Sequence, residues 1–314
     1  MTVPVLNAGK AGTVGFELQR AAEELGRAGV DEPRREAGIL MAVALGIDRA
    51  AVWTHPERPL NAVEYRRWRR FLARRASREP LAYITGEKEF FGRSFIVTPA
   101  VLVPRPETEV LVQAVLDRLP GGLPLRVADV GTGAGVVAVT VACERPSYYV
   151  LATDISAAAC DVAHENARRH RVDDRVYVFT GSLLEPVAHF WPLDAVVANL
   201  PYVPSTQMST LPPEVSRFEP REALDGGPAG LDLIERLSHE SLRAVRPGGL
   251  VAFEVGQGQA QAVASLWKKL GYSHIEVIPD LAGVPRVVVG RLGDTRADQG
   301  EARGASHEDE DRES

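Results

Sequence analysis

Two stretches of this chain carry side chains whose types and spacing could do chemistry. The first, VADVGTGAGVVAVTVA over residues 127–142, runs from an apolar, β-rich segment through glycines 131, 133 and 135 into an apolar helical pattern. Glycines at such a turn allow positive φ and let a ligand lie against backbone that a side chain would cover. A strand ending in this kind of turn before a helix is the ligand-binding position of an open α/β sheet. The spacing is G-x-G-x-G; a dinucleotide fingerprint needs G-x-G-x-x-G, and Val136 stands at its last position. In LATDIS, Asp154 closes the next β-rich run, where a carboxylate can accept both ribose hydroxyls of a nucleoside. Gly131, Thr132, Gly133, Ala134, Gly135 and Asp154 are therefore the expected cofactor-binding residues.

The second stretch is VVANLPYVP, residues 196–204. The side-chain oxygen of Asn199 and the backbone carbonyl of Leu200 can together accept both hydrogens of a planar NH₂ group, with Pro201 stiffening the turn. Tyr202 can pack on the flat face of that group. A nitrogen so held is set for in-line attack on a sulfonium methyl. Beside this motif, the glycine spacing selects S-adenosylmethionine over a nicotinamide cofactor. An amide nitrogen is a poor nucleophile because its lone pair is delocalised, so orientation and desolvation must carry the catalysis, without a strong base.

These motifs need a scaffold. Residues 125–130, 148–154, 175–181, 193–199, 249–255, 274–280 and 285–292 are short β-rich runs, alternating at first with helical stretches. That order predicts a doubly wound, mostly parallel seven-stranded sheet, with antiparallel strands at its end. Before it, residues 16–30, 31–46 and 61–80 place apolar residues at three- and four-residue intervals, predicting a bundle of three helices. Asn61 followed by Glu64 is a capping-box pattern, and Gly29 and Gly46 stand where helices can end. The third helix carries Arg66, Arg67, Arg69, Arg70, Arg74, Arg75 and Arg78, a solvated face or a docking surface for an acidic or RNA-bound partner. Residues 80–103, rich in aromatic and β-branched side chains, predict a β-hairpin linker. The expected division is a helical domain at 1–85, a linker at 86–103, a catalytic domain at 104–292 and an acidic, disordered tail at 293–314.

Composition narrows the function. The net charge is −6, but residues 294–314 hold eight acids against three arginines, leaving a near-neutral body. Such a body argues against a protein devoted to gripping phosphate backbones, and no direct DNA binding is expected. Cys143 and Cys160 lack C-x-x-C spacing, and the seven histidines form no H-E-x-x-H pair, so no metal is expected. No apolar run approaches a membrane span and no secretory leader is legible, which sets the cytoplasm as the expected location.

Five further segments join these motifs: EPLAYITGEKEFFGRSFIV, LVPRPETEVLV, FEPREALDGGPAGLDLIERL, RPGGLVAFEVGQGQ and DLAGVPRVV. In this order, over residues 15–292, the chain resembles the release factor glutamine methyltransferases of the HemK/PrmC family. The resemblance implies a Rossmann-like class I S-adenosylmethionine-dependent methyltransferase fold with a small N-terminal helical bundle. It also implies N5-methylation of the glutamine in the Gly-Gly-Gln motif of peptide-chain release factors, gripped in part by the helical domain. By the same resemblance Arg105 and Glu107 of the R-P-E-T-E segment join Asn199, Leu200, Pro201 and Tyr202 in substrate binding. Leu183 is placed beside the adenine, and Asn199 at the cofactor as well as the substrate. The chain departs from the family at Leu200, where the usual motif is N-P-P-Y, and at Ser182, where an Asp is usual. Rival readings are an amino methyltransferase acting on a nucleic-acid adenine or cytosine, a cofactor-binding regulator without turnover, and a nicotinamide oxidoreductase.

Overall fold

The computed structural model describes residues 12–293, and the acidic tail read from the sequence lies outside the described residues beyond that point. The chain divides into two compact units. Among the described residues, one contains 12–87 with Val97–Pro99 and Thr210–Glu219; the other contains Lys88–Ile96, Ala100–Ser209 and 220–293.

The first unit is helical: α1 (Val14–Arg27), α2 (Pro33–Leu45), α3 (Arg49–Thr54), α4 (Ala62–Ala76) and α5 (Leu81–Thr85). Their apolar stripes meet in a core that includes Leu25, Leu40, Met41, Trp68 and Leu72. The capping box at the start of α4 is formed: Asn61 Oδ1 accepts from the Glu64 backbone N–H at 2.9 Å, and Glu64 accepts in return from that of Asn61 at 3.0 Å. Gly46 ends α2 in the left-handed conformation, φ +66°. Helices α3 and α5 add to the three expected. Each is little more than a turn, too short to show periodicity. Helix α5 occupies part of the stretch read as hairpin, because Pro80 at its N-cap and the left-handed Gly86 at its C-cap close one helical turn around strand-like residues. The hairpin itself is β1 (Glu87–Phe90) and β2 (Arg93–Ile96).

The arginines of α4, with Arg78 just beyond it, divide into a paired and an exposed group. Arg69 pairs with Glu24 and Arg74 with Glu79, while Arg66, Arg67 and Arg70 lie on the exposed face. Arg75, 5% exposed, is clamped between Glu36 and Glu214, and Arg78 makes two hydrogen bonds to the same Glu214 at 2.6 and 2.7 Å. Glu214 belongs to α9 (Pro213–Phe218), part of the distant segment that packs within the helical unit. Burial raises its pKa, but the hydrogen bonds from Arg78, its own backbone N–H and Arg75 outweigh burial and hold the carboxyl below its ordinary range. A lowered folded-state pKa contributes stability above the unfolded value, and that contribution is lost as pH falls through the folded one. Glu214→Ala is expected to destabilise the protein by about 3 kcal/mol, as for removing one partner of a buried pair. Chemical denaturation at neutral pH and below about pH 4 checks this, with the difference between wild type and variant shrinking on acidification.

The second unit holds a seven-stranded sheet in the order β5-β4-β3-β6-β7-β9-β8. Its strands are β3 (Arg126–Val130), β4 (Tyr149–Asp154), β5 (Val176–Thr180), β6 (Leu193–Ala198), β7 (Val245–Glu254), β8 (Tyr272–Pro279) and β9 (Pro285–Leu292). Strands β3 to β7 run parallel, and β9 is antiparallel to both β7 and β8. Helices α6 (Thr108–Arg118), α7 (Val136–Glu144), α8 (Ala157–Arg169), α10 (Asp232–Ala244) and α11 (Ala260–Lys269) accompany it. No helix among the described residues is long and apolar enough to cross a membrane.

The topology brings the motifs together. After β3 the chain winds through β4 to β5 and returns to lay β6 on the opposite side of β3, making β3 the switch point where such sheets bind ligands. In register, Val130 pairs with both Thr153 and Ala198. The residues that follow all three, Gly131, Asp154 and Asn199, therefore emerge side by side at one sheet edge.

Candidate functional site

At that edge lies a cavity of about 350 Å³, within the range of small-molecule sites. The glycine turn forms its floor. Gly131, Gly133 and Gly135 have φ of +73°, +54° and +78°, values at which a Cβ is strained. Gly133 donates its N–H to Asp154 Oδ2 at 2.9 Å, and Asp154 Oδ1 accepts from Ser156 N–H at 2.9 Å. The carboxylate is thus fixed by backbone at the mouth of the turn. Burial is the largest influence on Asp154 and pushes its pKa upward against those two bonds.

A second carboxyl, unnoticed in the sequence, supports the turn from beneath. Asp129, 2% exposed near the end of β3, accepts from the Thr132 hydroxyl at 2.6 Å and from Ala138 N–H at 3.0 Å. Burial pushes it up to about 6. Across the cavity Leu183 adopts φ +46°, uncommon for leucine, while its carbonyl accepts from the buried Thr153 hydroxyl at 2.8 Å. Ile155, next to Asp154, lines the cavity although 66% exposed, an apolar surface suited to a flat ring.

On the β6 side, Asn199 Nδ2 donates to the Thr108 hydroxyl at 3.1 Å, which turns Oδ1 of the amide away from that partner. The turn beyond it is held at its main chain. Gln259 Nε2 donates to the Tyr202 carbonyl at 2.9 Å and Oε1 accepts from Gly256 N–H at 2.8 Å. Val203 and Asp225 form a β-bridge, and Gly226 N–H donates to the Val203 carbonyl at 2.9 Å. Burial, then the nearby Glu254 charge, pushes the Tyr202 hydroxyl up to about 12. It remains a neutral phenol.

Leu200, at the departure from N-P-P-Y, is 5% exposed and packs on the glycine turn: a Cβ added at Gly131 meets Leu200 Cδ2 at 2.9 Å. Gly131→Ala combines that clash with a left-handed backbone, costing about 1–2 kcal/mol for the conformation alone. It is expected to lower the melting temperature, measurable by calorimetry.

Among the residues expected from the sequence, Gly131, Thr132, Gly133, Ala134, Asp154, Leu183, Asn199, Leu200, Pro201 and Arg105 line the cavity. Gly135 stands outside its wall as the N-cap of α7, where a Cβ meets Ala163 at 3.1 Å. Tyr202 is beside the cavity, against Gly256. Glu107 is exposed at the N-cap of α6 and influences the site as a charge near Tyr202. Thr108, Asp129 and Gln259 are the polar residues that pattern reading missed. Among the described residues no cluster of side chains is suited to hold a metal ion.

Comparison with known proteins bears on the same two units. The PrmC N-terminal domain model matches residues 18–86, and the methyltransferase small domain model matches residues 106–211. The release factor glutamine methyltransferase of Moorella thermoacetica is 44% identical over 270 residues, covering 86% of this chain and 95% of that protein. Its namesake from Koribacter versatilis is 41% identical over 271 residues, with the same coverage. The chain belongs to the release factor glutamine methyltransferase family. Among solved structures, the hMettl16 catalytic domain in complex with MAT2A 3′UTR hairpin 6 superposes with a TM-score of 0.55 at 18% identity, covering 72% of this chain and 83% of that one. At that identity the likeness is one of fold, the Rossmann-like methyltransferase sheet, and says nothing of an RNA substrate.

Proposed function

We propose that this protein transfers the methyl group of S-adenosylmethionine to the side-chain amide nitrogen of the glutamine in the Gly-Gly-Gln motif of peptide-chain release factors. The observation that carries this reading is the orientation of Asn199, whose N–H group is taken by Thr108 so that its oxygen is left for a substrate NH₂. The cavity suits the cofactor: the Asp154 carboxylate is fixed to receive ribose hydroxyls, and the glycine turn leaves backbone bare where a Cβ would intrude. When bound there, S-adenosylmethionine supplies an electrophilic sulfonium methyl.

The chain's own residues do the rest. Asn199 Oδ1 and the Leu200 carbonyl accept the two amide hydrogens and align the nitrogen lone pair. Tyr202, neutral and packed beside Gly256, covers the flat face of the amide and limits water. No group needs to remove a proton before transfer, because the nitrogen becomes acidic only once methylated. Arg105, on the cavity wall, and Glu107, exposed at the N-cap of α6, are assigned to the main chain flanking the glutamine. The helical domain, proposed to span residues 1–85 with a linker at 86–103 before the catalytic domain at 104–292, supplies a second grip on the release factor. The proposed setting is the cytoplasm.

The test is methyl transfer from labelled S-adenosylmethionine to purified release factor, to its Gln→Ala variant and to ribosomal RNA. Label on the glutamine protein alone supports the reading. Label on RNA would mean that the Asn-Leu-Pro-Tyr turn serves a nucleic-acid amine, and label on none would favour a cofactor-binding protein without turnover.

A further inference from the structure

Glu254 ends β7 beside the Asn-Leu-Pro-Tyr turn, 1% exposed, and neither of its carboxyl oxygens has a hydrogen-bond partner of normal geometry. An unpaired buried carboxyl is costly, so its presence beside a substrate site asks for a use. Its surroundings supply one. The Thr108 hydroxyl is the side chain whose hydrogen bonding acts on it against burial, and Thr108 is the residue to which Asn199 Nδ2 donates at 3.1 Å. A threonine hydroxyl has one hydrogen and two lone pairs. With a lone pair engaged by Asn199, its hydrogen is free to turn toward Glu254.

We infer that Glu254 is a positioning residue for methyl transfer: acting through the Thr108 hydroxyl, it fixes which way the Asn199 amide faces. A charged Glu254 can only accept, so the Thr108 hydrogen points to it and the Thr108 oxygen receives the Asn199 N–H. That leaves Asn199 Oδ1 for the substrate. A protonated Glu254 can donate to Thr108 instead, releasing the hydroxyl hydrogen to turn toward Asn199. The amide then gains by flipping, and it presents N–H groups to a substrate that itself offers N–H groups. The inference rests on the functional reading above and adds to it the residue that sets the acceptor.

Other charges bear on Glu254 from each neighbouring element. Arg105 and Glu107 act from the start of α6, Arg286 from β9, and Tyr202 from the loop after β6; Arg286 is itself paired with Asp280. Burial is the largest influence, and against the pull of Thr108 and the arginines it raises the Glu254 carboxyl to about 7. The charged, orienting form is therefore lost as pH falls through that region, and the transfer rate declines with it.

The experiment compares kcat, KM for release factor and S-adenosylmethionine affinity in wild type, Thr108→Val, Thr108→Ser, Glu254→Gln and the Thr108→Val/Glu254→Gln double variant, across pH 6–9. Thr108→Val and Glu254→Gln are each expected to lower kcat by about tenfold to a hundredfold, the scale of a displaced reactive group, with cofactor affinity retained as the check on folding. Thr108→Ser, which keeps the hydroxyl, recovers most of the rate lost in Thr108→Val. The double variant falls no further than the worse single one, because both act through one relay. Glu254→Gln loses the acid limb of the wild-type rate profile. Full kcat in both single variants, or additive losses with the acid limb intact, would overturn the inference while leaving the functional reading in place. A wild type that transfers no methyl to release factor would instead overturn the functional reading and this inference with it.

Discussion

Asn199→Ala is expected to lower the rate of methyl transfer to release factor by about 100- to 1000-fold, the range for removing one preorganised polar group from a desolvated site. Cofactor binding is expected to survive. Asn199 follows β6 on one side of the cavity, whereas the backbone-fixed Asp154 ends β4 on the other, with β3 between them. Alanine removes the oxygen proposed to accept the substrate amide and leaves the Thr108 hydroxyl without its donor. The glycine turn and Asp154 keep their own hydrogen bonds. Single-turnover rates measured beside calorimetric S-adenosylmethionine affinity separate the two effects. A variant that transfers methyl at the parental rate would remove Asn199 from the reaction. One that loses the cofactor and its rate together would make it a binding residue only. The expected split, chemistry lost and cofactor kept, reflects a residue whose contribution is realised at the reacting nitrogen.

The parts legible in the sequence are those written in local pattern. The parallel strands are near-continuous apolar runs, because helices cover them on both faces, and their ends fall where turn residues interrupt them. The glycine turn could be read because three positions need positive φ, and Asp154 because it closes the following strand. What local pattern could not show is pairing across long separations. Thr108 meets Asn199 over 91 positions and Gln259 meets Tyr202 over 57, so neither pair leaves a periodic trace. Asp129 was hidden inside the apolar run of β3, where a buried carboxylate reads as an interruption and not as a support for the turn. Glu214 shows the same limit at the scale of domains. Its segment follows the Asn-Leu-Pro-Tyr turn in sequence, yet Arg75 and Arg78 bind it into the helical unit, so a boundary drawn from composition alone misses it. The α4 arginines read as one surface are, in part, internal ion pairs for the same reason.

Asp154→Ala is expected to weaken S-adenosylmethionine binding by more than Asp154→Asn does, and both by at least about tenfold. Hydrogen bonds to a charged group contribute about 1.5–3 kcal/mol each, and the carboxylate is proposed to accept from two ribose hydroxyls. Alanine also releases Gly133 and Ser156 N–H, which the wild-type carboxylate holds at 2.9 Å each, so the glycine turn loosens as the ligand contact is lost. Asparagine keeps one acceptor oxygen but replaces the other with a donor, which faces either an N–H or a hydroxyl and cannot satisfy both. The pH dependence follows from the direction of the shift. Burial raises the Asp154 pKa above its ordinary 3.8, and the charged form is the one proposed to accept both hydroxyls. Affinity should therefore fall on acidification, with its midpoint above the ordinary aspartate range, and Asp154→Asn should flatten that dependence. Calorimetric titration of wild type and both variants between pH 4 and 8 decides the matter. A wild-type affinity constant over this range, or an Asp154→Asn protein that binds as tightly as wild type, would mean that the ribose is held by the backbone of the glycine turn and that Asp154 serves only to brace it.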